Sequence, residues 1–304
     1  MEGDRSEELL AELLTQLDEK PGGREPLRVW DLSSVWRVHL SNGTAILKVA
    51  AAPFTDEARI LDHVAAYGLP VPAVWARTQR HGLLGMLLED LGSAYREPTV
   101  EDAAAAAVAV HHVPAPEKVP TVNATTLAQL PDRARTHLSL LHREGRWAGT
   151  EDIQTDLQRV AAVATDRARD TALPPFGLVH SEFHPSSVHI GADERAWRLL
   201  DFARALAGPG LLDLVSWFGT TTEPDPDAIW QLLHAYVAAG GAPEVLRQRA
   251  GLDAVSWGLG WHRLWVVEWF LEQSYYWMPD PAADDEAAEV LRRHLREARH
   301  ALQA

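Results

Sequence analysis

The spacing of apolar residues changes period once along this 304-residue chain, and that change limits the folds open to it. Before Glu89-Asp90-Leu91-Gly92, most segments alternate or run short, as half-buried strands do. After it, apolar residues recur at helical intervals over long stretches. A leading helix is predicted over 4–20. Asp4 and Glu7 have capping-box spacing, five leucines from Leu9 to Leu17 follow at helical intervals, and Pro21-Gly22-Gly23 stops it. Strands are predicted over 27–30, 35–40 and 44–49, with Ser41-Asn42-Gly43 carrying a tight-hairpin signal. A helix from Asp56 to about Tyr67, capped by Thr55, precedes two more strands over 73–78 and 83–88. Beyond the change, helices are predicted over 100–112, 125–143, 151–171, 227–239, 253–278 and 284–302. They are interrupted at 177–204 by short apolar strands around a polar loop. The pattern predicts an α+β chain with a small, strand-rich N-terminal domain over 1–92 and a larger, mostly helical domain over 93–304.

Composition removes several function classes. With 46% hydrophobic and 23% charged residues, the chain has the material for an ordinary globular core. It has no cysteine, which excludes disulfides, thiolate zinc sites, iron–sulfur clusters and cysteine nucleophiles together. A formal charge of −15 without a gathered basic patch argues against nucleic acid as a partner. The acidic N-terminus lacks the apolar segment of a secretory signal, and no apolar run approaches the roughly 20 residues that span a bilayer. A cytoplasmic protein without a membrane partner is expected. Only three lysines stand against twenty-five arginines, so a lysine in apolar surroundings is suspect for a role that arginine cannot fill.

The familiar phosphate and hydrolase signatures are absent. No lysine follows a glycine as a Walker loop requires, and neither G-x-G-x-x-G, G-x-S-x-G nor H-E-x-x-H occurs. His180 and His184 have ligand-like spacing, but Pro185 and the polar surroundings argue against a metal helix. The informative segment is Val179-His180-Ser181-Glu182-Phe183-His184-Pro185-Ser186-Ser187-Val188-His189-Ile190, with Leu199-Leu200-Asp201-Phe202 after it. Two carboxylates and a neutral oxygen suit a hard cation such as Mg²⁺. On spacing alone, a polar hairpin loop is the better account of them. Lys48, within Ala45-Ile46-Leu47-Lys48-Val49-Ala50, reads either as an edge-strand lysine or as a compact cation for phosphate.

In this order the residues resemble the aminoglycoside phosphotransferase family and the wider protein-kinase-like fold. The family's catalytic loop is written H-x-D-x-x-x-x-N and is followed by a metal-binding Asp. His180, Glu182 and Ser187 fall at its His, Asp and Asn positions, and Asp201 falls at the later Asp. Gly208-Pro209-Gly210-Leu211-Leu212-Asp213-Leu214 resembles the next motif, whose Asp supports the loop, so Asp213 joins His180 as a structural residue. Lys48, oriented by Glu57, matches the lysine that binds nucleotide phosphates. Trp30-Asp31-Leu32-Ser33-Ser34-Val35 stands where a loop covers those phosphates, which brings in Ser33 and Ser34. Glu89 and Leu91 match the hinge whose backbone meets adenine. The resemblance spans roughly residues 27 to 218.

What the resemblance implies is a two-lobed fold with an antiparallel-sheet N-lobe and a helical C-lobe. ATP or GTP is the co-substrate, Mg²⁺ is held by Ser187 and Asp201, and the γ-phosphoryl group passes to a small-molecule hydroxyl with Glu182 catalytic. An antibiotic acceptor of aminoglycoside, macrolide or nucleoside type follows, with resistance or self-protection as its biology. Two departures, Glu182 for Asp and Ser187 for Asn, open a rival reading as a catalytically silent kinase-like binding protein. A kinase for choline, homoserine or a sugar is a third. Finally, Trp257, Trp261, Trp265 and Trp269 form a stripe along one predicted helix, with Glu268 and Glu272 beside it. The stripe reads as core packing or as an aromatic wall. In the second case Trp265, Glu268, Trp269 and Glu272 would meet the acceptor. Sequence alone leaves ATP against GTP, the acceptor and the oligomeric state open.

Overall fold

The computed structural model describes residues 3–20, 22–192, 196–278 and 280–304. Pro21, expected to stop the first helix, and the Asp4 side chain of the expected capping box lie outside the described residues. In chain order the elements are α1 (Gly3–Gln16), β1 (Arg24–Val29), β2 (Ser33–Leu40), β3 (Gly43–Ala51), α2 (Glu57–Ala66), β4 (Val74–Arg80) and β5 (Leu83–Glu89). Then follow α3 (Val100–His112), α4 (Ala124–Arg143), α5 (Glu151–Arg167), β6 (Phe176–Val179), β7 (Val188–Ile190), β8 (Trp197–Leu199) and β9 (Leu206–Pro209). The chain closes with α6 (Leu211–Ser216), α7 (Pro226–Ala238), α8 (Ala254–Tyr276) and α9 (Asp284–Leu302). One compact unit comprises Met1–Thr99 with Pro185–Ala205, the other Val100–His184 with Leu206–Ala304.

The first unit is built on an antiparallel sheet of order β1-β2-β3-β5-β4. Period-two alternation divides β3 cleanly. Ala45, Leu47 and Val49 face one side, where Leu9, Leu10, Leu13 and Leu14 of α1 cover them with Val38 and Leu87. α1 approaches so closely that a Cβ on Gly85 of β5 would stand 3.3 Å from Leu9 Cβ and from a Leu13 methyl. The helix ends at Gln16, short of its predicted limit. Asp18 takes a left-handed φ of 55°, and the Glu19 N–H donates back to the Leu14 carbonyl. The β4–β5 turn is His81-Gly82, both at positive φ, as a type I′ turn requires. Asp56, not Thr55, precedes the first turn of α2, without a side-chain cap. β7 and β8 form a separate hairpin in this unit.

The second unit is mostly helical. α8 is buried from Ala254 to Leu264 except at Ser256, and it packs against α4, α6 and α9. β6 and β9 pair antiparallel from Phe176↔Pro209 to Val179↔Leu206, bringing the segment before residue 180 beside the segment that leads into α6. Among the described residues, no helix is long and apolar enough to cross a membrane.

Candidate active site

In the first unit, the β3 face opposite α1 carries Ile46, Lys48 and Ala50, and Lys48 pairs across the strands with Val35 and Met86. Its side chain is buried, and its ammonium needs partners there. Glu57, in the first turn of α2 and itself 1% exposed, supplies Oε1 at 2.9 Å and Oε2 at 2.7 Å from Lys48 Nζ. Asp201 supplies Oδ1 at 2.7 Å. Burial by itself would lower the lysine pKa, but Glu57 and then Asp201 reverse that, so the ammonium is held charged well above its ordinary range. One ammonium thus meets two carboxylates, Glu57 and Asp201.

Asp201 is placed by the β7–β8 hairpin. Val188 pairs with Leu199, and at the open end the Leu200 N–H donates to the Ser187 carbonyl at 2.9 Å, so Ser187 and Asp201 leave the hairpin side by side. Asp201 has a left-handed φ of 63° and Ser187 is buried. The two predicted serines of β2 separate. Ser33 pairs with Ala50 on the lysine's face, whereas Ser34 pairs with Val49 on the face covered by α1. The chain between β1 and β2 closes as a short turn, with the Trp30 N–H donating to the Ser33 carbonyl at 3.0 Å. At the end of β5, the Glu89 N–H donates to Ala73, and a Glu89 carboxylate oxygen accepts from the Ala73 N–H. Asp90 accepts from Arg37 Nε and Thr44 Oγ1, each at 2.7 Å, which fixes the path into Leu91. The backbone of Leu91 meets the His189 imidazole.

In the second unit, Asp213 holds the backbone at the start of the predicted catalytic loop. This carboxylate has no solvent exposure, and it accepts the His180 N–H on Oδ2 and the Ser181 N–H on Oδ1, both at 2.8 Å. Ser181 sits at a φ of 70°, a conformation unusual for a residue with a Cβ, and these two bonds hold it there. Ser216 Oγ donates to the Phe183 carbonyl at 2.7 Å, tying the far side of Glu182 to α6 as well. Glu182 is thus flanked by anchored backbone, and its own side chain is half-buried.

Two members of this network escaped sequence reasoning. His111, in the last turn of α3, points Nε2 at Asp213 Oδ2 (3.3 Å) and Nδ1 at the Tyr236 hydroxyl (3.0 Å). Tyr236 comes from α7, and burial pushes its phenol up to about 12. No local motif marks either residue, because His111 meets Asp213, and Tyr236 meets His111, only through the tertiary fold.

The tryptophan stripe divides. Trp257 and Trp261 are core residues whose indole N–H groups donate to the Arg167 carbonyl at 2.8 and 3.2 Å. Trp265 and Trp269 are half-buried, and Trp269 lies 5.6 Å from the Trp277 ring. Glu268 is buried, and Arg133 Nη2 donates to it at 2.7 Å, so the protein itself supplies a cation to that carboxylate. Glu272 lies near it and His137, their ligand-type atoms all within 4.8 Å of one another.

Residues 26–252 match the phosphotransferase enzyme family (APH). No curated protein sequence matches the chain. Among solved structures, a macrolide 2′-phosphotransferase type I aligns with TM-score 0.57 at 18% identity, covering 98% of each chain. A spectinomycin phosphotransferase in complex with ADP and spectinomycin gives 0.58 at 10% identity, over 97% of this chain and 99% of that one. A thermostable aminoglycoside phosphotransferase mutant bound to ADP and hygromycin B gives 0.57 at 15% identity, over 95% and 96%.

Proposed function

This chain belongs to the phosphotransferase enzyme family and has the protein-kinase-like fold, and from that premise we propose that it transfers the γ-phosphoryl group of ATP or GTP to a hydroxyl of an antibiotic. The observation that supports this best is the Lys48–Glu57–Asp201 cluster. A buried ammonium with two carboxylates around it is a device for taking phosphate oxygens in place of one of its present partners. In this reading Lys48 holds the nucleotide phosphates and Glu57 keeps it aimed. Ser33, on the same sheet face, lines the phosphate region. The backbone at Glu89 and Leu91 meets the base. Ser34, on the opposite face, takes no part.

Asp201 and Ser187 are an oxygen donor pair of the kind Mg²⁺ prefers, and they leave one hairpin together. They would hold that ion, which when bound neutralises phosphate charge. Glu182 orients the acceptor hydroxyl and takes its proton. The hydroxyl oxygen forms the new bond to phosphorus, the bond from phosphorus to the bridging oxygen of the β-phosphate breaks, and the nucleoside diphosphate leaves. Asp213 keeps the loop in shape. Trp265 and Trp269 offer the acceptor aromatic surface. Because Glu268 already has Arg133 as a partner, the acceptor need not be the polycation that two uncompensated glutamates would select.

The test is mass spectrometry of spectinomycin, hygromycin B and a macrolide, each incubated with the protein, Mg²⁺ and ATP or GTP. A product heavier by one phosphoryl group is expected for at least one antibiotic. Intact nucleotide binding with no product would favour the rival reading, a silent kinase-like binding protein, which the glutamate and serine at 182 and 187 motivate. Product with choline, homoserine or a sugar alone would replace the antibiotic with a metabolite.

A further inference from the structure

His111 and Tyr236 form a chain of hydrogen bonds that ends on the carboxylate supporting the proposed catalytic loop. Both side chains are nearly inaccessible, His111 at 2% and Tyr236 at 1% exposure. The chemistry of the partners sets the direction of each bond. Asp213 also accepts two backbone N–H groups, and as a carboxylate it can only accept from the imidazole, so Nε2 carries the proton. In the tautomer that carries its one ring proton on Nε2, Nδ1 is an acceptor, and the Tyr236 O–H donates to it. The phenol is in turn hydrogen-bonded by the Ala242 backbone. The ring cannot drift. Its position is fixed from the Gly210 side, where a Cβ would stand 2.6 Å from an imidazole carbon.

We propose that His111 and Tyr236 are positioning residues for phosphoryl transfer. They set the orientation of the Asp213 carboxylate, and through its bonds to the His180 and Ser181 amides they set the loop conformation that aims Glu182. Carboxylate rotation would release the Ser181 amide from its left-handed conformation one residue before Glu182, where a misplacement of about 1 Å is worth about a hundredfold in rate. A polarised chain of this kind keeps a buried carboxylate in one rotamer more strictly than packing alone. The catalytic consequence rests on the reading of Glu182 given above; the positioning itself does not.

Two substitutions separate hydrogen bonding from space filling. His111→Gln keeps a donor near the Nε2 position with a poorer fit to the cavity. His111→Phe keeps the ring and its volume but has no polar atom. If His111 positions Asp213, amide exchange in the segment 180–184 of the full chain accelerates about tenfold in His111→Phe. Exchange in His111→Gln should stay within about threefold of the parent. ADP release from Mg-ATP, with water as acceptor, falls in the same order while the KM for Mg-ATP holds. In the parent protein, nitrogen-resolved spectra of labelled histidine show His111 protonated at Nε2. The reverse order, with His111→Phe like the parent and His111→Gln disturbed, or a proton on Nδ1, would overturn the inference. Glu182→Gln is measured beside them: if its ADP release equals the parent's, the catalytic reading of the loop fails, while the exchange comparison still decides the positioning.

Discussion

Lys48 and Glu57 show how one substitution can act on stability and on binding together. Removing one partner of a buried ion pair costs about 3–5 kcal/mol, and Glu57, which pairs with Lys48, is 1% exposed. Lys48→Ala is therefore expected to lower the urea unfolding midpoint as well as abolish nucleotide binding. Adding Glu57→Gln removes the buried carboxylate charge that Lys48 had offset. The double variant should recover most of the midpoint, and calorimetry should still find no nucleotide binding. Recovery of binding in that double variant would remove Lys48 from the phosphate site. Glu182 obeys a different logic because it is half-buried and, in the proposed role, faces an acceptor. Glu182→Gln keeps its shape and loses its basicity, so turnover should fall by about two to four powers of ten. Glu182→Asp, one methylene shorter, should lie between the parent and Glu182→Gln. Nucleotide affinity measured by calorimetry should hold in both.

At the scale of elements, α1 lies outside the residues matched to the family, yet its leucines complete the core of the five-stranded sheet. Leu13 has no solvent exposure, and Leu13→Ala should cost about 2–5 kcal/mol in urea unfolding. Docking of α9 on α8 carries a pH signature. His294 is buried beside Arg263 and Arg293, and burial first, then those two cations, pull its pKa down to about 3. Glu297 stands 3.6 Å away but is engaged by Arg263. An unfolded chain binds a proton at this histidine near pH 6.5 that the folded chain refuses until about pH 3. Stability is therefore full above pH 6.5 and lost as the pH falls toward 3. Urea midpoints between pH 8 and pH 5 should decline in the parent and decline less in His294→Gln; equal slopes would mean the ring is not buried neutral.

Elements with strong periodicity were legible from sequence, among them the β2–β3 hairpin, α2, and the long helices α4, α8 and α9. Motif order paired Lys48 with Glu57 and Asp201 with Ser187, whereas the contact of Asp201 with Lys48, 153 positions away, comes only with the tertiary fold. α6 escaped because its six residues follow Gly208-Pro209-Gly210, which reads as a loop, and are too few to show a helical period. The predicted helix over 151–171 stops at Arg167, since Asp170 enters the left-handed region and the Thr171 hydroxyl donates to the Ala168 carbonyl. His111 was illegible for a deeper reason. It meets Asp213 across 102 positions of sequence, and no local pattern encodes a contact of that range.

For the whole molecule, net charge and local charge point the same way. The chain carries −15 overall, and the ammonium that the proposed reading gives to a triphosphate stands between two carboxylates, Glu57 and Asp201. A polyanion approaching that cluster meets repulsion at long range and an oversubscribed cation at short range. In the proposed reading, affinity then depends on an added divalent cation. Chelation with EDTA should weaken ATP binding by at least about tenfold in calorimetry, a difference of about 1.4 kcal/mol. Asp201→Asn tests the origin of that dependence. Losing one of few anionic ligands removes the gain from Mg²⁺. The same change frees Lys48 from one competing carboxylate, so metal-free ATP binding should be equal to or tighter than the parent's. The two titrations, with Mg²⁺ and with EDTA, should therefore nearly coincide in Asp201→Asn and stand apart in the parent. A variant that kept the full Mg²⁺ dependence would assign the metal to residues other than Asp201, and one that lost metal-free binding would show that Asp201 helps hold Lys48 toward the phosphates.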